Sequence, residues 1–345
     1  VTSPGEITRS EIMSQPAIWA DVLEEAARQA AWLAEFWDEG TFNQVILTGC
    51  GSTYYLSVFG AALLRAHAGI PAYAYPASEL MLFPQANFDA SRRTLLVTVS
   101  RSGATRETIE AARSFRRAGR GETLAVSCHS ESRLAAEADH VLAADVARER
   151  SRVQTRSFSS MTLLLQVLAG VFSEGEAAVE ALMPLPGVLE RLLPQFQEVA
   201  HHVGTAGGTA RYMFLGSGMC YGLACEAMLK MMEMSLLPAM AFHALEFLHG
   251  PRYLTDAETT VVALLSDAAQ AEEASALEEA QRRGARVLAA GEQVTGRDSP
   301  RDHGVSLRSG LPSWVRPVLY LPFLQLLAFY QAQARGKDPD RLGES

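Results

Sequence analysis

Leu95-Leu96-Val97-Thr98-Val99-Ser100-Arg101-Ser102-Gly103-Ala104-Thr105 passes from an unbroken apolar run into a turn built of hydroxyls and one glycine. The apolar part predicts a buried strand. Residues 106–118 that follow carry a helical pattern, with Ile109, Ala112 and Phe115 on one face. Three hydroxyls and a glycine at a helix N-terminus make a seat for a dianion, because backbone N–H groups and the positive end of the helix dipole converge there. Gly103 lets the backbone approach a phosphate that a side chain would obstruct. The plainer alternative is a strand-to-helix turn whose Ser and Thr only cap the helix.

Working outward, the same alternation recurs on both sides. Helical patterns cover residues 8–39, with a turn at Gln15-Pro16 and an amphipathic run over 18–37, and continue to about His67 after a short strand at 45–48. Strands are predicted at 72–75, 123–127 and 141–144, and a buried helix at 161–172. After Pro184, Pro186 and Pro194 the pattern restarts: strands at 212–215, 260–265 and 286–290, helices at 223–234 and 271–283. Strands alternating with helices imply an α/β fold with a parallel, doubly wound sheet. Gly49, Gly51 and Tyr54 match Gly216, Gly218 and Tyr221, and Ser100 falls close to Ser266, which is the mark of an internal duplication. The expected division is an N-terminal helical segment 1–40, a first unit 41–185 and a second unit 186–345. The second unit has Ser266-Asp267-Ala268-Ala269-Gln270 where the first has its hydroxyl turn, and an aspartate there would repel a phosphate. Only the first half is expected to keep the anion seat.

The chain has 345 residues, 48% hydrophobic and 20% charged, a globular balance with room for two α/β units. A net charge of −9 argues against nucleic acid as the main partner, since phosphate backbones demand a basic face. Cys50, Cys128, Cys220 and Cys225 lack zinc-finger or CxxC spacing and read as reduced core thiols. The apolar run 318–330 is short and broken by Pro322 and Gln325, so it reads as a core helix, with no membrane partner. No secretory leader is expected, and the location expected is cytoplasmic.

In the second half, Glu226, Lys230 and Glu233 are spaced to share one helical face among Ala224, Met228, Met231, Met232 and Met234. Carboxylates buried in such a setting acquire raised pKa values useful to a general base. The alternative is a surface ion pair worth under ~1 kcal/mol. His249 stands immediately before Gly250-Pro251, at a chain break that frees its ring. His243 and His249 are poorly spaced for one helical face as a metal pair, and His201-His202 reads as a surface pair. The Gly49-x-Gly51-x-x-Tyr54 turn lacks the third glycine of a dinucleotide fingerprint.

Gly49-Cys50-Gly51-Ser52-Thr53-Tyr54, Ser100 to Thr105, Thr155-Arg156-Ser157-Phe158, the run 226–235 and Glu246-Phe-Leu-His-Gly-Pro251 together resemble the sugar isomerase (SIS) domain family. Within it they are similar to the isomerase half of glutamine–fructose-6-phosphate aminotransferases and to free-standing sugar-isomerase-type glucosamine-6-phosphate deaminases. Glu11-Ile-Met-Ser-Gln-Pro16 shares the likeness. The resemblance implies two duplicated, flavodoxin-like, three-layer αβα subdomains with parallel sheets, assembled as a homodimer with sites at the interface. It implies that Ser100, Ser102, Gly103 and Thr105, with Gly51, Ser52 and Thr53, bind the phosphate and nearby hydroxyls of a phosphorylated sugar or amino sugar. Glu233 would move a proton between C1 and C2, Lys230 would polarise the sugar there, and His249, from the neighbouring subunit, would open the ring. No metal and no cofactor are implied.

Three departures qualify the resemblance. Arg101 replaces the glutamine common in the phosphate turn and adds a positive charge suited to pairing with phosphate. No glutaminase domain is expected ahead of the motifs, and the tail 336–345 is expected to stop before the position of the synthase's Schiff-base lysine, which Lys337 does not occupy. The expected reaction is therefore deamination of a hexosamine 6-phosphate to a ketose phosphate and ammonia. Simple aldose–ketose isomerisation, glutaminase-less amination, cleavage of a fructosamine-type adduct and non-catalytic sugar-phosphate sensing are the alternatives.

Overall fold

A computed structural model describes residues 4–88, 91–119, 121–299 and 301–341. The outermost parts of the expected segments, 1–3 and the 342–345 end of the tail, lie outside the described residues. The chain forms two compact units. A first-half unit comprises Pro16–Glu149 and Arg156–Pro186, and a second-half unit comprises residues 4–15, Arg150–Thr155 and 187–341.

The first-half unit holds β1 (Gln44–Gly49), β2 (Ala72–Pro76), β3 (Thr94–Ser100), β4 (Gly121–Ser127) and β5 (His140–Ala143) in the order β2-β1-β3-β4-β5, all parallel. Every residue of β1 and β3 is buried, as strands with helices over both faces must be. Strand order reverses between β1 and β3, and the crevice beyond the carboxyl ends at such a reversal is where open α/β sheets bind ligands. The helix Arg106–Ala118 buries Ile109, Ala112 and Phe115 on its sheet side, as its pattern predicts. The helix Ser52–His67 lies so close to its neighbours at Gly60 that a Cβ there would come within 2.7 Å of Leu47 and 2.8 Å of Leu165. Leu165 belongs to Arg156–Glu174, which among the described residues is the one helix long and apolar enough to cross a membrane, and 89% of that window is buried.

The second-half unit repeats the plan. β6 (Arg211–Gly216), β7 (Ala239–His243), β8 (Thr259–Leu264), β9 (Arg286–Gly291), β10 (Asp298–Ser299) and β11 (Asp302–Ser306) lie in the order β10-β11-β9-β8-β6-β7. The run β7-β6-β8-β9-β11 is parallel and matches β2-β1-β3-β4-β5 strand for strand. β10 departs from the all-parallel expectation by adding antiparallel to β11. The sequence pattern predicts neither β7 nor β11. Ala-Met-Ala-Phe-His and Asp-His-Gly-Val-Ser are poor in β-branched residues, and pairing with buried neighbours makes them strands. Pro184 lies in the turn before the helix Leu185–Thr205, the change of unit falls at Pro186, and Pro194 sits inside that helix.

The expected helical segment 1–40 is divided at Gln15-Pro16. The helix Gln15–Gly40 packs in the first-half unit, where the Trp19 indole donates to Ser159 Oγ (2.9 Å) and Trp37 stacks on Phe172. The helix Glu6–Met13 belongs to the other unit because its N-terminus is capped from the distant tail. Gly5 has no side chain to cap with, and Asp338 and Asp340 accept the N–H groups of Gly5 (2.8 Å), Ile7 (2.9 Å) and Thr8 (2.9 Å) instead. A cap of this kind is worth about 0.5–2 kcal/mol.

Candidate active site

Two turns meet the carboxyl end of the first sheet. In the first, Gly51 takes a left-handed φ of 55°, and a Cβ on Gly49 would lie 2.6 Å from the Thr53 backbone, so both glycines are required by the turn itself. Ser52 and Thr53 open the helix Ser52–His67, each 4% exposed. The Thr53 hydroxyl donates to the Cys50 carbonyl and accepts the Cys50 N–H, both at 2.9 Å. It is engaged in closing the turn, and Ser52 makes neither bond.

In the second turn, Ser100 is buried at the end of β3. Its hydroxyl accepts the Gly103 N–H (3.1 Å) and lies 3.2 Å from the Thr105 hydroxyl. Ser102 is exposed, and its oxygen accepts the Ala104 N–H (3.2 Å), leaving its own proton to donate outward. Gly103 has φ 59°, and a Cβ there would strike the Ser132 side chain. Thr105 stands at the helix N-cap with extended backbone but makes no side-chain cap. The Ser100 and Ser102 hydroxyls therefore shape the turn, and the Thr105 side chain does not cap the helix.

Arg101 does not bring a naked charge to this turn. Its guanidinium lies 3.5 Å from the carboxylate of Glu149, whose side chain is wholly buried and also accepts the Ser157 hydroxyl. Glu149 thus links the phosphate-turn candidate to the Thr155–Phe158 motif, a partnership that 48 residues of separation hide from sequence reading.

The second-half candidates lie on the helix Cys220–Ser235. Lys230 is 1% exposed, with Nζ 3.3 Å from Glu226 and 2.5 Å from Glu233. Burial alone pushes the ammonium's pKa down, but Glu226 and Glu233 together outweigh it and hold the pKa above its ordinary value. The burial expected of the carboxylates falls on Glu226, 2% exposed, whereas the Glu233 side chain is 34% exposed. The difference is one of depth. Seven residues separate the two, so they share a direction, but Glu233 occupies the last turn, where the helix emerges. The result is a carboxylate at a rim, oriented by a buried cation.

His249 ends the one-turn helix Glu246–Leu248, is exposed, and is followed by Gly250 at φ 129°. Its ring has no hydrogen-bonding partner among the described residues. His243 instead stacks on Tyr221, ring centres 3.7 Å apart. No group of three His, Cys, Asp or Glu residues among those described is placed to hold a metal ion. His201 and His202 are exposed, each meeting one ring edge-on. The cysteines are free, with Cys50 half-buried and the others buried. Glu11, from the N-terminal motif, accepts the N–H groups of Arg150 (2.6 Å) and Ser151 (3.3 Å), which explains a carboxylate at that place.

The duplicated turns of the second half differ in content. Gly218 repeats the left-handed φ (54°), yet Met219 and Cys220 stand where the first half has Ser52 and Thr53. Beyond β8, the Ser266 N–H (2.6 Å) and hydroxyl (3.1 Å) both donate to the carboxylate of Glu273, and Asp267 pairs with Arg316.

Comparison with known proteins adds context to this geometry. The family model described as SIS domain matches residues 42–171 and 209–293. A glutamine–fructose-6-phosphate aminotransferase [isomerizing] from Methanothermobacter thermautotrophicus is 29% identical over 333 residues, covering 96% of this chain and 55% of the relative. The chain thus spans about half the length of the curated relatives it matches. Among solved structures, glucosamine-6-phosphate deaminase from Thermotoga maritima is 28% identical, with TM-score 0.71, 94% of this chain and 97% of that one. Tagatose-6-phosphate ketose/aldose isomerase from Escherichia coli superposes with TM-score 0.86 at 22% identity, covering 98% and 96%, a likeness of fold.

Proposed function

The chain belongs to the SIS domain family, and on that premise we propose that it is an enzyme deaminating a hexosamine 6-phosphate, with glucosamine 6-phosphate the first substrate to test. The observation that carries this reading is the Glu226–Lys230–Glu233 array, because a sugar-phosphate sensor has no use for a carboxylate held at a rim by a buried ammonium. Nitrogen release, in preference to isomerisation alone, draws support from the relative of matching length in Thermotoga maritima, which is named a glucosamine-6-phosphate deaminase.

In this reading the Ser100–Thr105 turn and Ser52 take the phosphate with hydroxyl and backbone N–H donors, and Gly103 admits its oxygens to the backbone. His249 assists opening of the sugar ring, and its exposure suits delivery from the second copy of a homodimer. Glu233 takes the C2 proton of the open-chain aldehyde and returns it to C1, while Lys230 fixes the carboxylate and polarises the sugar. The enolamine becomes a C2 imine, water adds at C2, the C–N bond breaks and ammonia leaves. Hexosamine phosphate and water give ketose phosphate and ammonia, so atoms balance without a redox partner. Positioned proton transfers contribute about 100- to 10,000-fold each.

The test is ammonia release from glucosamine 6-phosphate, measured beside formation of the ketose phosphate, for the wild type and Glu233→Gln. Stoichiometric ammonia and ketose, both lost in the variant, are expected. Ketose or aldose interconversion without ammonia would assign an isomerase, and binding without turnover would assign a sensor.

A further inference from the structure

Glu273 changes what the internal duplication means. Sheet register sets the correspondence: Thr48 faces Thr98 in the first sheet, and its counterpart Leu215 faces Ala263 in the second. Counting two residues on, Ser100 matches Leu265; three on, Arg101 matches Ser266; ten on, Thr108 matches Glu273. The burial pattern supports the alignment independently: Thr108, Ala111, Ala112 and Phe115 are buried on the first helix, and their counterparts Glu273, Ala276, Leu277 and Ala280 are buried on the second.

Thr108 and Glu273 are thus the same position in the two halves, one neutral and one a carboxylate. Both are buried, at 0% and 1% exposure. In the second half the carboxylate takes the Ser266 N–H and hydroxyl, and the Ser266 oxygen in turn accepts the Ala269 N–H (3.2 Å). The donors at the start of that turn are therefore spent on an internal anion. In the first half the Ser100 oxygen, one residue earlier in register, accepts the Gly103 N–H over the same three-residue span, and no carboxylate reaches into the turn from position 108.

We infer that position 108/273 decides which half accepts an external phosphate: Thr108 leaves the first turn open to one, and Glu273 closes the second by supplying its own anion. The inference rests on the phosphate seat assigned above to the Ser100–Thr105 turn. It identifies Thr108, which touches no reacting atom, as a specificity-determining residue, and it assigns one phosphate seat to each chain despite two copies of the fold.

Reciprocal exchanges test it, with inorganic phosphate as the probe in calorimetric titrations of the full chain. Thr108→Glu is compared with Thr108→Gln, which matches it in size. The expected result is a loss of about 100-fold or more in phosphate affinity for Glu relative to Gln, the scale of like charges a few ångströms apart in a half-buried turn. In the other direction, Glu273→Thr is expected to bind two phosphates per chain where the wild type binds one. Should Glu273→Thr be too unstable to titrate, phosphate is expected to raise its melting temperature more than the wild type's. Equal affinities in the first pair, or one site and no extra stabilisation in Glu273→Thr, would overturn the inference. If the wild type binds no phosphate at all, the seat in the first half is lost, and a site gained by Glu273→Thr still reports on Glu273 alone.

Discussion

In the first half, β3 ends at Ser100 in a turn whose exposed Ser102 hydroxyl is free to donate and whose neighbouring helix begins without a side-chain cap. In the second half, the equivalent turn after β8 is filled from within by Glu273 and flanked by an Asp267–Arg316 pair. The helix after the preceding turn differs in the opposite sense. Ser52–His67 buries leucines, alanines and Phe59, whereas Cys220–Ser235 buries Lys230 and Glu226. Two copies of one scaffold have therefore divided their polar groups, one presenting hydroxyl and N–H donors at an exposed turn and the other burying a charged array on a helix. The division is economical in physical terms. A buried ion pair is tolerated only where geometry satisfies it, and an anion seat works only where no fixed carboxylate already occupies it.

Four substitutions bear on this contrast. Glu233→Gln is expected to lower kcat for ammonia release by about 100- to 10,000-fold with KM changed only a few-fold, because it removes the proton carrier and spares the anion seat. Steady-state kinetics checks it, and a change confined to KM would erase the contrast. Lys230→Met is expected to cost about 3–5 kcal/mol of unfolding free energy, since Glu226 is left buried beside an apolar chain; urea titration reads this directly. Ser102→Ala is expected to raise KM by about 10- to 100-fold through loss of a hydrogen bond to a charged group. Ser266→Ala, its neighbour in the duplicated turn, is expected to leave KM alone and to lower stability by about 1–3 kcal/mol, because Glu273 loses a donor.

The smallest effect is on pH. Burial raises the Glu273 carboxyl above its ordinary value of 4.5, against the pull of the Ser266 and Ser217 donors. The folded state then holds this proton more tightly than the unfolded one. Glu273 therefore contributes most to stability below pH 4.5, and that contribution is lost as pH rises through the raised value. Glu273→Gln is expected to flatten this part of the profile, measured as urea midpoints from about pH 4 to pH 7.

Much of this was legible from residue patterns, for identifiable reasons. Continuous apolar runs such as 95–99 read as parallel strands because both faces are covered, and Ile109, Ala112 and Phe115 read as a helix face because they bury together. The glycine pairs 49/51 and 216/218 exposed the duplication because Gly51 and Gly218 take left-handed backbone and a Cβ on Gly49 or Gly216 would strike the backbone of Thr53 or Cys220. Patterns failed where long-range pairing decides. β7 and β11 are strands only because β6 and β9 lie beside them, and Asp338 and Asp340 cap a helix more than 300 residues away. The helical spacing of Glu226 and Glu233 gave their shared face but not their depth. Arg101 read as a cation available to a phosphate because Glu149 lies far along the chain, and the helical pattern over 271–283 gave no sign that Glu273 turns inward.

The division of labour is tested most directly by a crystal structure of the enzyme with a hexosamine 6-phosphate bound. The phosphate is expected on the hydroxyls and N–H groups of the Ser100–Thr105 turn, with the Glu233 carboxylate about 3–3.5 Å from C1 or C2 of the same sugar. A phosphate seated at the Ser266 turn, or Glu233 directed away from the sugar carbons, would contradict it.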